Sequence, residues 1–126
     1  MSIYTADELF DELAETIARF GDETPIRWSD DPQGGAAATR HLTLEVKSLH
    51  GRPTVLVGPA LTDASETPPV ETLADFVRVA REEADAYGLD LPIFWSNDAV
   101  TGIDTRYLTA ELEMLDGIPT VVIFPA

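Results

Sequence analysis

The chain has 126 residues, with 23 acidic against 8 basic side chains and a formal net charge of -15. That length suits one compact domain with a real core, and 44% hydrophobic content separates it from chains that stay disordered through charge. There is no cysteine, which excludes disulfides and thiolate chemistry, and the acidic balance speaks against direct binding to a nucleic-acid backbone.

The N-terminus, Met1 to Glu8, lacks the basic and then apolar stretches of a secretion signal, and no apolar run approaches the ~18 residues of a membrane span. A cytoplasmic protein with no membrane contact is therefore expected. The first predicted element is a helix. Thr5 with Glu8 three residues on has the spacing of a capping box. Ala6, Leu9, Phe10, Leu13, Ile17 and Phe20 recur at helical spacing, and Gly21 ends the run. Asp7, Glu8, Asp11, Glu12 and Glu15 make its other face acidic.

Three strands follow. Ile26 and Trp28 alternate with Arg27 and Ser29. Leu42, Leu44 and Val46 alternate with Thr43, Glu45 and Lys47, which predicts a strand with one face inward and one outward. His50-Gly51-Arg52-Pro53 reads as a turn into an apolar third strand, Val55-Leu56-Val57. Leu61 to Pro69, rich in Thr, Ser, Asp and Pro, reads as a linker.

The same order then recurs. A helix is expected from Thr72 and Asp75, with a stripe of Leu73, Phe76, Val77, Ala80, Ala84 and Tyr87 stopped by Gly88. Ile93 and Trp95 open the strands. Leu108, Ala110, Leu112 and Met114 are expected inward, opposite Thr109, Glu111 and Glu113. Asp116-Gly117-Ile118-Pro119 turns into Val121-Val122-Ile123-Phe124. Residues 3–35 align with 70–102 and residues 37–60 with 103–126, giving 21 identities in 57 pairs. The chain thus reads as two αβββ repeats, 3–60 and 70–126, joined by the linker 61–69. Each repeat is small for independent stability. The expected fold is α+β: a single domain with one antiparallel sheet of about six strands, both helices on one face, and a pseudo-twofold axis between the repeats. Two sheets are the alternative.

Little in the chain marks catalysis. His41 and His50 align with Tyr107 and Asp116, so no histidine site is duplicated, and both read as exposed surface residues. Ser48, His50 and an acid assemble into a triad only on paper, without a nucleophile turn or an oxyanion loop. The loops Ser29–Gly35 and Ser96–Gly102 carry oxygen ligands but not the ligand order of a calcium loop, and Gly34-Gly35 lacks the lysine of a phosphate loop. No catalytic residue, metal ligand or cofactor is assigned.

The polar set kept in both repeats supplies the candidate binding residues: Trp28, Asp31 and Arg40, with Trp95, Asp98 and Arg106. One reading makes Asp31–Arg40 and Asp98–Arg106 loop-closing ion pairs beside a half-buried tryptophan. The other makes them two related pockets or an interface patch, since Trp and Arg are enriched at binding hot spots. The acidity fits a protein from a salt-rich cytoplasm or a GC-rich genome (a phage genome included), imitation of nucleic acid, or a plain solvated surface. Residues 1–60 carry net -5 and residues 61–126 net -10, so functional acidity is expected in the second half.

The favoured function is a non-catalytic, small acidic module, an adaptor, regulator or accessory protein that binds another protein as a monomer or homodimer. The alternative is an acidic DNA mimic or immunity- or antitoxin-type inhibitor of a nucleic-acid enzyme or toxin. An enzyme with an acidic site at the repeat seam is the third.

Overall fold

The computed structural model describes residues 3–30, 39–49, 51–59, 70–84, 87, 88, 90–98 and 103–125. Among them are two helices and seven strands in chain order: α1 (Ala6–Phe20), β1 (Ile26–Trp28), β2 (Leu42–Leu49), β3 (Arg52–Pro59), α2 (Leu73–Ala84), β4 (Ile93–Asp98), β5 (Ile103–Arg106), β6 (Leu108–Leu115) and β7 (Ile118–Pro125). The linker 61–69, His50, and residues 31–35 and 99–102 of the two Gly-containing loops lie outside the described residues.

Both helices start where the sequence places them. Thr5 caps α1 by accepting from the Glu8 N–H at 3.4 Å. Thr72 does the same for the Asp75 N–H at 3.2 Å, and the Asp75 carboxylate accepts in return from the N–H groups of Glu71 and Thr72 at 3.3 Å. These contacts satisfy donors that a helix start leaves unpaired. Burial works against the Asp75 charge, but the two backbone N–H groups, Arg78 and Thr72 outweigh it and hold the carboxyl below its usual range. The buried stripes are Ala6, Leu9 and Leu13 on α1 and Leu73, Phe76, Val79 and Ala80 on α2. Phe20 and Tyr87, at the ends of the predicted stripes, are exposed.

The sheet departs from the expectation. The strands form two sheets, ordered β1-β7-β6 and β2-β3-β4-β5, instead of one antiparallel sheet. Each contains one parallel pair. Ile26, Arg27 and Trp28 pair with Val121, Val122 and Ile123, and Ile93, Phe94 and Trp95 pair with Val55, Leu56 and Val57. The remaining pairs, β2·β3, β4·β5 and β6·β7, are antiparallel. The physical reason lies in the connection β3–α2–β4. A helix between two apolar strands is the usual crossover that lets them lie parallel and adjacent. A single antiparallel sheet with both helices on one face leaves α2 no such crossover role. Correspondingly, the helices do not share one face of one sheet: α2 packs chiefly against β2, and α1 against β6 and α2. Phe10 and Phe76 meet edge to face between the helices, their centroids 6.5 Å apart.

A second difference comes at Tyr107. The predicted second strand of the later half is β6, paired with β7, but an additional strand, β5, precedes it and is hydrogen-bonded to β4 in the other sheet. In the earlier half Arg40 bridges Trp28 of the first sheet, and after His41 the chain joins the second sheet as β2. Strands that change sheets in this way make the corners of two-sheet folds. The two-residue turn Asp116-Gly117 joins β6 to β7 with φ of 52° and 78°, the left-handed pair that matches a hairpin's twist.

The core takes Leu42 and Leu44, Val55 and Val57, Val121 and Ile123, with Leu108 and the helix stripes. The expected outward rows are partly covered too, since Thr43 and Thr109 are buried. Leu112 and Met114, expected inward, are instead exposed at 41% and 64%, towards the hairpin end of β6. No described helix is long and apolar enough to cross a membrane.

Candidate functional site

Two constellations stand out, one buried and one exposed. The buried one contains both predicted tryptophans. Trp28 ends β1 and Trp95 sits within β4, both strands being carried into the sheet of the other half by their parallel pairing. That placement brings the indoles face to face, with centroids 5.3 Å apart and planes 9° from parallel. The Trp28 indole N–H donates to the Ser96 carbonyl at 3.2 Å, and the Trp95 indole N–H to the Ser29 carbonyl at 2.9 Å. Both rings and both serines are buried. A buried indole needs a partner for its N–H, and each half provides it for the other.

The predicted arginines flank this stack through their backbones. Arg40 exchanges two backbone hydrogen bonds with Trp28, each 2.8 Å, and Arg106 pairs with Trp95. Both side chains are exposed. Asp31 lies outside the described residues, as does the side chain of Asp98, so the two expected ion pairs fall there as well. The structure therefore unites Trp28 with Trp95 and sets Arg40 and Arg106 beside them.

The exposed constellation was not singled out by sequence. Tyr4 and Tyr107 meet edge to face at 4.6 Å and 82°, and Phe94 stacks on Tyr107 at 5.4 Å and 30°. Tyr4 is brought there by the bridge of Ile3 to Leu108 and by the Ile93 N–H, which donates to the Tyr4 carbonyl at 3.1 Å. Tyr4 and Tyr107 remain half exposed, at 50% and 49%. The Glu8 carboxylate accepts from the Tyr4 N–H at 3.4 Å, which fixes an acid beside the rings.

The positions aligned with Tyr4, Phe94 and Tyr107 hold Glu71, Arg27 and His41, so the rings and their counterparts each draw on both halves. There the Arg27 guanidinium lies 3.3 Å from His41 Nδ1 and donates to the Thr39 carbonyl at 3.1 Å. Three rings on one side of the alignment thus correspond to three polar residues on the other. The signal was available in the alignment of the halves, as three positions that fail to match.

Beside Arg27 runs an open groove of about 700 Å³, bounded by Pro25, Thr39, Met114, Asp116 and Ile118. Met114 and Ile118, 64% and 53% exposed, form its apolar wall. Their aligned counterparts are Ser48 and Arg52. Among the described residues no group of three or more His, Asp or Glu side chains is placed to hold a metal ion. No protein-family model, curated protein or solved structure matches this chain.

Proposed function

We propose that this protein is a non-catalytic acidic module that binds another protein, built from two copies of one αβββ unit related by a pseudo-twofold axis. Support for the two-copy architecture comes from reciprocal pairing at aligned positions: Ile26 with Val121, and Ile93 with Val55. The exchange of strands supports a single domain, because among the described residues neither half completes its sheet alone.

The observation that carries the binding reading is the unequal surface of the two copies. Met114, Ile118 and Tyr107 are exposed apolar or aromatic groups where the aligned positions hold Ser48, Arg52 and His41. The first copy adopts its strands with polar residues there, so the fold does not call for apolar ones. Exposed apolar groups on an otherwise charged protein mark interaction surfaces, and here Met114 and Ile118 adjoin at the hairpin end while Tyr107 lies with Tyr4 and Phe94. The later half also carries the larger acidic excess, which points to a partner with a basic rim.

The test compares the wild-type protein with a Met114→Glu/Ile118→Glu variant as baits. A protein captured by the wild type at moderate salt and lost with the folded variant supports the reading. Identical capture by both overturns it. A second reading, imitation of nucleic acid, is favoured by the row Asp7, Glu8, Asp11, Glu12 and Glu15, all exposed on α1. It requires that this chain compete with duplex DNA for a captured basic protein, and that added salt weaken the contest steeply. The enzyme reading has least support, because the described groups meeting at the seam are indoles, serines and backbone carbonyls.

A further inference from the structure

We infer that the Tyr4–Tyr107–Phe94 platform is the seat of an arginine side chain from a basic segment of the partner protein; this inference rests on the protein-binding reading. Three aromatic rings meet at the surface, from the segment before α1, from β4 and from the junction of β5 and β6, two of them half exposed. An aromatic face attracts a cation, and a guanidinium adds planar stacking that an ammonium lacks. Glu8, anchored on the Tyr4 backbone, supplies a carboxylate at the edge of the platform. The positive group nearest in sequence is Arg106, which pairs with Trp95 and so belongs to the opposite side of its strand from Phe94 and Tyr107.

Charge decides the occupant. The chain carries net -15, so a second copy of itself is repelled while a basic segment is drawn in. The aligned positions offer the contrast. There Arg27 is placed against His41, so the chain sets a cation of its own at that corner, whereas Phe94 stands in its place in the platform. The rings are dispensable to the architecture, since the corner at Arg27 and His41 forms without them.

The test titrates the full chain with a short, end-capped glycine peptide carrying two arginines, and with the same peptide carrying citrulline, which keeps the shape and removes the charge. Binding is read by calorimetry and by the NMR shifts of the Tyr4 and Tyr107 ring protons. The expected result is that the arginine peptide binds and moves both rings, and that the citrulline peptide binds at least about tenfold more weakly. A Tyr4→Leu/Tyr107→Leu variant, which leaves the net charge unchanged, is expected to lose about the same factor. If that variant fails to fold, Tyr107→His places at 107 the residue found at the aligned position 41, and a similar loss is expected. Equal binding of the two peptides, or equal binding by the folded variants, overturns the inference. Failure of the titration with intact partner capture through Met114 and Ile118 sinks this inference alone. Loss of all distinction in the capture experiment with an intact titration sinks only the hairpin as the docking site.

Discussion

Trp28 and Trp95 stack 5.3 Å apart, and each indole N–H reaches across to a backbone carbonyl one residue beyond the other tryptophan. The two halves are thereby fastened by aromatic contact and by two buried hydrogen bonds that neither half makes alone. Trp28→Phe keeps a ring in the stack but leaves the buried Ser96 carbonyl without that donor, at a cost of ~1–3 kcal/mol. Trp95→Phe does the same to Ser29. Urea unfolding is the measurement, and the double variant is expected to lose less than the two single losses combined, because the rings and bonds form one unit. Additive losses would mean that the two indoles act independently.

The start of α2 gives a prediction with a defined pH dependence. Thr72→Ala removes the cap on the Asp75 N–H and is expected to cost ~1 kcal/mol in thermal or urea unfolding. The Asp75 carboxyl has its folded-state pKa depressed below 3.8 by the N–H groups of Glu71 and Thr72, against the opposing effect of burial. Its stabilising charge is therefore fully present above the unfolded value and is lost as pH falls through the folded one. Asp75→Asn should lower Tm near neutral pH, and the gap from wild type should close as the pH drops below 3.8. A gap independent of pH would show that the carboxylate charge plays no part in the cap.

The hairpin turn separates conformational strain from crowding. Gly117 has φ of 78°, yet a Cβ built there meets nothing within 4 Å. Gly117→Ala is then destabilising through backbone conformation alone, by ~1–2 kcal/mol. Asp116 sits at φ 52°, where asparagine is favoured, so Asp116→Asn should leave stability unchanged or slightly raise it. Differential scanning calorimetry of both variants checks the pair, and an unaffected Gly117→Ala would count against the left-handed turn.

Local signals carried most of the elements. The Thr-x-x-acid caps, the glycine stops and the Asp-Gly turn each act within a few residues, and alternation at Leu42, Leu44 and Val46 marks a strand wherever it ends up. Which strands become neighbours is not local. Ile26 and Ile93 have equivalent patterns whether they pair with their own half or with the other, and for Ile93 the crossover through α2 brings β4 beside β3. The tryptophans were visible as a repeated pair, but their mutual contact follows from that exchange. The aromatic platform is hidden for a different reason: Tyr4, Phe94 and Tyr107 lie far apart in sequence, and only the pairing of Ile3 with Leu108 and the Tyr4–Ile93 hydrogen bond bring them together.

The acidity makes the final prediction. Five carboxylates line the exposed side of α1, and the ion pair found among the described residues joins Asp75 to Arg78 within one turn of helix at 3.4 Å. Most of the net charge of -15 therefore acts as self-repulsion across a small surface, which salt screens over ~10 Å at 0.1 M and ~3 Å at 1 M. Raising NaCl between those limits should lift Tm smoothly, and KCl should do so equally, because screening does not distinguish the cations. Replacing Asp11, Glu12 and Glu15 together by glutamine should raise Tm at low salt and reduce its salt dependence, since the repulsion is removed at its source. A salt response that saturates at low concentration, or differs between the two cations, would instead indicate binding at a discrete site and overturn the repulsion account.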